Sequence, residues 1–337
     1  MSSRTQTLVI INHAAARARG TWPVVKELLK RQGVCFDAHE TTHAGDATSR
    51  VRAALSEGYQ IIAVMGGDGT LSEAAEGFFT DSVEQREGEE EREGASQSLP
   101  TQINGEAALA ILPAGTGDDF ARGLLEGKRE SAEAWAMRLI DHLRSDTPSR
   151  RRVDVIYGQA EEGGHSFICL NAATIGIGAE VASRVALQKG LLLRLPGEAR
   201  FVQAALGALV GWRERRATLL IENGTPTQIE CTSNLIAISN GAYAGGGMMF
   251  APNARVDDGK MDVVIASDGL TRATILRELP RIRRGAHLLN PRVRVLQAES
   301  VHITTPEESL LVEADGNVRG QTPVSFRIMP GALSVIV

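Results

Sequence analysis

An α/β domain followed by a β-rich domain is the fold class that this sequence predicts. In the first third of the chain, short apolar runs alternate with amphipathic helical segments, and two of these runs lead directly into glycine-rich turns. From about residue 150 onward, short β-branched runs predominate, separated by turn dipeptides such as Asn223-Gly224 and Asp315-Gly316. The length of 337 residues gives room for about two domains. We therefore expect domains over residues 1–145 and 146–337.

The first domain is predicted to be a doubly wound parallel sheet. Continuous apolar runs at residues 7–11, 59–65 and 107–112 indicate strands that are covered on both faces. Helical patterns occupy residues 22–31, 44–57 and 71–79, and a further helix is expected from about Phe120. Strands that alternate with helices in this way form a parallel sheet with helices on both sides.

The second domain is predicted to be a β-sandwich, because many short strands with frequent turn signals are typical of that architecture. Helical patterns are expected only at residues 180–187, 196–215 and 271–284. The predicted strands span residues 153–157, 166–174, 217–222, 234–239, 261–266, 293–296, 300–304, 324–328 and 332–337.

The composition excludes several classes of protein. With 43% hydrophobic and 23% charged residues, the chain is globular rather than disordered. A net charge of −5 argues against nucleic acid as a partner, because phosphate backbones favour basic surfaces. Three scattered cysteines favour a reducing compartment, so the expected location is cytoplasmic. Glutamates crowd residues 81–105, which we expect to form a disordered loop, with an acidic docking segment as the alternative.

The segment Gly66-Gly67-Asp68-Gly69-Thr70 follows the apolar run at residues 59–65. Ligands of open α/β sheets bind beyond the carboxyl ends of the strands. Glycines let backbone N–H groups approach a phosphate, and the start of the next helix favours an anion. Asp68 is a candidate to face a nucleotide-bound metal or an ordered water. The alternative is a plain strand-to-helix turn.

A second turn, Gly115-Thr116-Gly117-Asp118-Asp119, also follows a strand pattern and opens a helix. The Thr116 hydroxyl is a candidate phosphate donor, and Asp118 or Asp119 is a candidate helix cap. The chain contains neither G-x-x-x-x-G-K-[ST] nor a complete G-x-G-x-x-G, so a standard P-loop ATPase and a standard dinucleotide site are disfavoured.

Several motifs together resemble one known family. They are GGDGT at 66–70 followed by LSEA, LPAGTGDDFAR at 112–122, NAATIGIGAEV at 171–181, the block 240–266 and ADG at 314–316. In this order they resemble the bacterial lipid kinases of the diacylglycerol kinase catalytic-domain superfamily, which includes sphingosine and ceramide kinases. The resemblance covers nearly the whole chain, and the block 240–266 is its most specific part.

The resemblance implies an ATP-binding first domain and a lipid-binding β-sandwich domain, with ATP and Mg²⁺ as cofactors. It implies that Asp68 and Asp119 join a magnesium and water network and that Asp315 accepts the proton of the lipid hydroxyl. It also implies a structural magnesium at Asp258, partly through backbone carbonyls around Arg255 and Lys260. The residues that it places along the phosphates of ATP are Asn12, Thr42, Gly66, Gly67, Gly69, Thr70 and Thr116.

Two residues depart from the pattern of the relatives. Asp315-Gly316-Asn317 stands where relatives usually carry Asp-Gly-Glu, and an amide cannot act as a base at neutral pH. Either Asp315 acts alone as the general base, or the chain is slow or inactive. Asp118 replaces a usual asparagine and adds charge beside the nucleotide. We expect Asp315→Ala to abolish lipid phosphorylation with the fold intact.

The predicted function is ATP-dependent phosphorylation of diacylglycerol or a related lipid alcohol. The alternatives are a kinase of another hydroxyl substrate, similar to NAD kinases that share GGDGT, and a catalytically impaired protein that binds nucleotide and lipid. The apolar stretch at residues 190–216, edged by cations, suits peripheral contact with the inner membrane face, with an internal helix as the alternative. The particular lipid and the oligomeric state, a homodimer among the alternatives, stay open.

Overall fold

The architecture is given by a computed structural model, which describes residues 6–80, 99–145, 147, 149–161, 166–188, 197–267 and 269–337, and only the backbone at 197, 198 and 201. The chain divides into two compact units. Unit 1 comprises Met1–Val153 and Gly331–Val337, and unit 2 comprises Asp154–Pro330. The boundary thus lies eight residues later than the predicted one, and the last residues of the chain belong to the first unit rather than the second.

Unit 1 is built on a parallel sheet. Its elements are β1 (Thr7–Ile11), α1 (Ala18–Arg31), β2 (Asp37–Glu40), α2 (Asp46–Ser56), β3 (Ile61–Gly66), α3 (Asp68–Glu76), β4 (Ala108–Pro113), α4 (Asp119–Leu124) and α5 (Ala132–Arg144). The strands lie in the order β2, β1, β3, β4, all parallel, and Val335 near the end of the chain pairs in parallel with Leu109 of β4. The α/β fold predicted for this part of the chain is confirmed.

Every residue of β1, β3 and β4 is buried, which explains why these strands are continuous apolar runs. Alternate residues such as Val9 and Ala63 pack against α1 and α5, whose Trp22 and Leu139 belong to the same apolar cluster. The residues between them, Leu8 among others, are buried as well. Burial on both faces leaves the carboxyl ends of the strands as the place where polar groups gather.

Unit 2 is mainly antiparallel. β5 begins at Arg151 and β15 ends at Val335, so each has residues in both units. Its elements are β5 (Arg151–Ala160), β6 (Ser166–Cys169), β7 (Ala172–Gly176), α6 (Ile177–Ala186), α7 (Gly197–Gly211), β8 (Arg215–Glu222), β9 (Thr227–Ser239), β10 (Met261–Ser267), α8 (Arg272–Ile282), a 3-10 helix (Ala286–Leu289), β11 (Val293–Ala298), β12 (Ser300–Thr304), β13 (Leu311–Ala314), β14 (Asn317–Gln321) and β15 (Val324–Val335).

The strand β9 changes partners along its length. Residues 227–233 pair with β8, whereas residues 235–239 pair with β7 on one side and β10 on the other. Strands that exchange neighbours in this way let a sheet enclose its own inner face. Residues from most of the strands, including Ile156, Ile236, Val301 and Phe326, form one buried cluster there. The predicted β-sandwich-like domain is confirmed.

Several predicted elements differ from the observed ones. The run 166–174 is split into β6 and β7, and the runs 324–328 and 332–337 form the single strand β15. The helix predicted from residue 22 begins at Ala18, so Pro23 lies inside it. The helix predicted to residue 215 ends at Gly211, because Arg215 already belongs to β8. The periodicity patterns missed the helix α5 and the strands β2, β13 and β14. The expectation of a disordered loop at 81–105 falls largely outside the described residues.

Among the helices of the described ranges, none combines the length and the apolar character that crossing a bilayer requires.

Candidate functional site

Two glycine-rich turns of unit 1 lie in direct backbone contact. A β-carbon built on Gly115 would lie 2.6 Å from the α-carbon of Gly67, and one built on Gly67 would lie 3.2 Å from the α-carbon of Gly115. Neither position accepts a side chain without movement of the other turn. The glycines that the sequence assigns to phosphate binding are therefore required first by the approach of the turns to each other.

Asn12 connects the end of β1 to the first of these turns. Its backbone N–H donates to the carbonyl of Met65 at 2.9 Å, and its side-chain Nδ2 donates to Thr70 Oγ1 at 2.9 Å. Thr70 also packs close to Gly66, where a β-carbon would lie 2.7 Å from the threonine side chain. The structure thus brings together the predicted residues Asn12, Gly66 and Thr70 at the carboxyl ends of two neighbouring strands.

Asp68 and Asp119 form a pair of carboxyl groups where α3 and α4 begin. The Asp68 carboxylate accepts the N–H of Phe120 at 3.1 Å, which joins the starts of the two helices. Asp119 is almost completely buried. Burial, together with the negative charge of Asp119, raises the pKa of Asp68 to about 7. Two desolvated carboxylates repel each other, so this pair fits a divalent cation.

Asp118 is held by a residue that the sequence analysis missed. It adopts a left-handed backbone with φ 49°, and its Oδ1 accepts the N–H of Gly115 at 2.8 Å. The Arg17 guanidinium pairs with its other oxygen, and Arg17 Nε donates to the carbonyl of Gly115 at 3.1 Å. Burial raises the pKa of Asp118, and the Gly115 N–H and the Arg17 charge oppose that shift. No local pattern indicates Arg17, because only the fold brings it to this turn.

The other predicted phosphate-site residues have different surroundings. Thr42 donates to Asp46 from both its N–H, at 2.8 Å, and its hydroxyl, at 3.0 Å, which connects it to the start of α2. Thr116 is exposed in the second turn. Gly69 is the second residue of α3. Their contact with a nucleotide stays a prediction.

In unit 2, Asp315 occupies a tight turn between β13 and β14, where it has φ 47° and Gly316 has φ 88°. Its carboxylate accepts three backbone N–H groups, from Leu170 at 2.6 Å, Asn171 at 3.0 Å and Ala172 at 3.3 Å. These donors lie where β6 gives way to β7, so Asp315 accounts for the break in the predicted strand 166–174. The carboxylate that the resemblance assigns as a base also holds the fold together locally.

Glu313 is a second buried carboxyl beside this turn, and sequence reasoning missed it. Its Oε1 accepts the N–H of Gly316, and its Oε2 accepts the hydroxyl of Thr174 at 2.7 Å. Burial raises the pKa of Glu313 to about 7, and the charge of Asp315 contributes to the same shift. The available signal was its position: Glu313 lies two residues before Asp315, in the strand that leads into the turn.

The predicted structural metal site at Asp258 lies on an exposed turn. Asp258 Oδ1 accepts the N–H of Lys260 at 3.0 Å, and the Arg255 guanidinium lies 3.3 Å from the Asp257 carboxylate. Burial and the charge of Asp258 raise the pKa of the nearby Asp262 to about 6. Within the described ranges, no group of three or more acidic, histidine or cysteine side chains is placed to hold a metal ion. The predicted ligation, which relies on carbonyls, stays a prediction.

An apolar cavity of about 110 Å³ lies inside unit 2, bounded by α6, α7, α8, β9 and β10. Its walls are formed mainly by branched and aromatic side chains. Among them are Ile177, Val181, Leu209, Leu235, Phe250 and Ile282. This apolar lining suits a short stretch of hydrocarbon chain, and the volume is smaller than the roughly 300–1,000 Å³ of pockets that enclose a whole small-molecule ligand.

Comparisons with known proteins agree with these observations. Residues 6–148 match the diacylglycerol kinase catalytic domain, and residues 173–337 match the YegS C-terminal NAD kinase beta sandwich-like domain. A probable lipid kinase YegS-like from Pseudomonas aeruginosa is 32% identical over 297 residues, which covers 88% of this chain and 82% of the relative. A diacylglycerol kinase from Mycobacterium tuberculosis is 29% identical over 311 residues, which covers 91% and 86%.

The crystal structure of a putative diacylglycerol kinase from Bacillus anthracis superimposes with a TM-score of 0.70 at 21% identity, covering 100% of this chain and 98% of that one. This likeness shows the same fold. The two matched domains and the relatives together show that the chain belongs to the bacterial lipid kinase family, in which a diacylglycerol kinase catalytic domain precedes a YegS-type C-terminal domain.

Proposed function

We propose that this lipid kinase transfers the γ-phosphoryl group of ATP to the hydroxyl of diacylglycerol or a related lipid alcohol. The observation that carries the nucleotide half of this proposal is the contact between Gly67 and Gly115. It sets two turns and the helix starts that follow them side by side, and helix starts present unpaired N–H groups to anions. ATP would lie along this edge of unit 1, near Asn12 and Thr70.

The carboxyl pair Asp68 and Asp119 supports a magnesium site at the same edge. Burial and the negative charge of Asp119 raise the pKa of Asp68, so a divalent cation bound between the two carboxyl groups would relieve their repulsion. Mg²⁺, when bound, would neutralise charge on the transferred phosphoryl group. Arg17 would hold the Asp118 turn in place and offset the charge of that carboxylate.

The apolar cavity of unit 2 supports a lipid as the acceptor. Burial of a hydrocarbon chain against such walls contributes about 0.8 kcal/mol for each methylene group. We assign the general base to Asp315, whose carboxylate would take the proton of the lipid hydroxyl as the oxygen bonds to phosphorus and the bond to ADP breaks. The three N–H groups from residues 170–172 would fix the orientation of this carboxylate.

One face of α7 supports contact with an anionic membrane surface. Val202, Leu206 and Val210 recur every four residues and are 50%, 47% and 74% exposed. The opposite face of the helix packs within unit 2, mainly through alanines and Leu209. An exposed apolar stripe on a helix suits the interfacial region of a bilayer, where the substrate of a lipid kinase resides.

Cationic side chains flank this stripe. The Arg184 guanidinium, which also pairs with Glu180 at 2.8 Å, lies 3.4 Å from a β-carbon built on Gly207. Arg272 donates to the carbonyl of Trp212, just beyond the end of α7, at 3.2 Å. Guanidinium groups at the edge of an apolar stripe favour anionic headgroups, so we propose that α7 docks on an anionic leaflet.

Co-sedimentation with vesicles tests this docking. The triple variant Val202→Ser, Leu206→Ser and Val210→Ser should lose at least about tenfold in binding to phosphatidylcholine vesicles that contain phosphatidylglycerol, since each buried side chain contributes roughly 1 kcal/mol or more. Leu220→Ser is the matched control, because Leu220 is 42% exposed on β8 of the same unit. Equal binding by the triple variant and the control would exclude α7 as the docking face.

A radiolabelled ATP assay over a lipid panel tests the reaction itself. We expect label in diacylglycerol or a related lipid alcohol, and a loss of at least about 100-fold in Asp315→Asn with nucleotide affinity retained. Label on NAD would support the kinase of another hydroxyl substrate. Binding of nucleotide without transfer to any acceptor would support the impaired enzyme, for which Asn317 is the specific observation.

A further inference from the structure

The turn that carries Asp315 is held from two directions. The Asp315 carboxylate reaches outward to the N–H groups of residues 170–172, whereas Glu313 reaches back to the N–H of Gly316. The register of the hairpin pairs Ala314 with Asn317, which leaves only Asp315 and Gly316 to make the turn. Such two-residue turns have both residues in the left-handed region. The Gly316 N–H is a backbone donor within this turn, and the Glu313 carboxylate accepts it.

Glu313 is fixed by its strand neighbours as well. It pairs with Thr174 across the β13–β7 ladder, and the Thr174 hydroxyl donates to its Oε2 at 2.7 Å. A β-carbon built on Gly178 of α6 would lie 2.7 Å from Thr174 Oγ1, so the start of that helix closes over the pair. Glu313 is 8% exposed. The pKa of a carboxyl group in this position is set by burial and by the neighbouring groups rather than by bulk water.

The groups around Glu313 have opposing effects on its pKa. Burial and Asp315 favour its neutral form, while Thr174, the Gly316 N–H and Arg319 favour its anion. On β6, the Cys169 thiol has a pKa raised by burial and by both carboxylates, so it stays neutral. On α6, Glu180 forms an ion pair with Arg184. Glu313 is therefore the group beside the Asp315 turn that changes charge near neutral pH.

We propose that Glu313 is a positioning residue for lipid phosphorylation. Its ionisation places a negative charge beside Asp315 and strengthens the hydrogen bond that fixes the Gly316 turn. The inference rests on the proposed function, in which Asp315 takes the proton of the lipid hydroxyl. In this role Glu313 neither contacts the lipid nor exchanges a proton with it during transfer. When it is ionised, its negative charge lies beside the Asp315 carboxylate and its bond to the Gly316 N–H is charge-assisted.

The neighbouring Asn317 cannot supply this charge, because an amide neither gains nor loses a proton near neutral pH. Its Nδ2 is buried and has no hydrogen-bond partner among the residues that the structure describes. The side chain that follows the turn is therefore uncharged, and the ionisable carboxyl lies before the turn, at position 313.

The pH dependence of turnover by the full-length protein tests this role. We expect the wild-type kcat to rise about tenfold through a limb near pH 7, and Glu313→Gln to lack that limb and to fall at least about tenfold below the wild type at pH 8. The KM for ATP should stay within about twofold, because the nucleotide site is in unit 1. Glu307→Gln, which alters an exposed ion pair with Arg216, is the matched control. Retention of the limb in Glu313→Gln would overturn the proposal.

A second readout needs no substrate and separates this proposal from the proposed function. The urea midpoint of the wild type should fall relative to that of Glu313→Gln as the pH rises from about 5 to 8. A wild type that phosphorylates no lipid refutes the proposed function, whatever the midpoints show. A difference in midpoints that stays constant with pH shows that Glu313 does not titrate in this range, and it overturns the present proposal even in an active enzyme.

Discussion

Replacement of Gly115 by alanine probes the contact on which the proposed nucleotide site depends. The new methyl carbon would lie 2.6 Å from the Gly67 α-carbon, whereas carbon atoms in normal contact are about 3.5–4.0 Å apart. The two turns must therefore separate by about 1 Å. Forced separations of this kind cost about 1–3 kcal/mol. The obstacle is backbone, so a rotamer change cannot relieve it.

Thermal unfolding and calorimetry measure the effect. A cost of 1 kcal/mol lowers the Tm of a unit of about 150 residues by roughly 2–4 °C, so Gly115→Ala should lower the Tm by about 2–12 °C. The displaced turn also moves the start of α4, and we expect ATP affinity to fall at least about tenfold, which corresponds to about 1.4 kcal/mol.

Gly123→Ala is the matched control for this variant. Gly123 lies inside α4, and a β-carbon there meets nothing within 4 Å. Alanine in a helix is more favourable than glycine by about 0.5–1 kcal/mol, so this control should be as stable as the wild type or more stable. If Gly115→Ala matched the control in both Tm and ATP affinity, the two turns would not be in contact as described.

Three further predictions concern buried carboxyl groups. Asp315→Ala should lower the stability of unit 2 by at least about 1–3 kcal/mol, since it leaves three buried N–H groups without an acceptor. Urea denaturation should show this loss. The result would differ from the expectation that this variant leaves the fold intact. Asp68→Asn should be more stable than the wild type at pH 8 but not at pH 4, because the pKa of Asp68 is raised to about 7 and the folded state loses stability as the pH rises towards that value. The same variant should bind Mg²⁺–ATP more weakly by calorimetry, and unchanged affinity would remove Asp68 from the proposed magnesium site. Burial raises the pKa of Glu313 from 4.5 to about 7. The free energy of unfolding of the wild type should therefore fall by about 3 kcal/mol between pH 4.5 and pH 8, relative to that of Glu313→Gln. A fall below about 1 kcal/mol would contradict the burial assigned to this group.

Elements that depend on local rules alone were predicted correctly from the sequence. Continuous apolar runs predicted β1, β3 and β4, because burial on both faces leaves a signature in consecutive residues. The glycine-rich turns were found for a similar reason. Elements that depend on distant partners were not predicted: β6 and β7 are separate strands because Asp315, more than 140 residues away, binds the backbone between them.

The site shows the same division. Asn12, Gly66 and Thr70 were predicted together, and the structure places them in contact. Arg17 and Glu313 were missed, because neither belongs to a local motif. Arg17 pairs with a carboxylate 101 residues away, and Glu313 acts across a hairpin and a neighbouring strand.

The amino-acid sequence by itself determined the two-domain plan, the parallel sheet with its glycine-rich turns and membership in a lipid kinase family, since periodicity and motif order are carried by neighbouring residues. Only the tertiary structure decided why Gly67 and Gly115 must lack side chains, what holds Asp315, and which carboxyl groups bind protons near neutral pH. Those properties depend on distances and burial among residues far apart in the chain, and an acid's pKa changes with the water and charge around it.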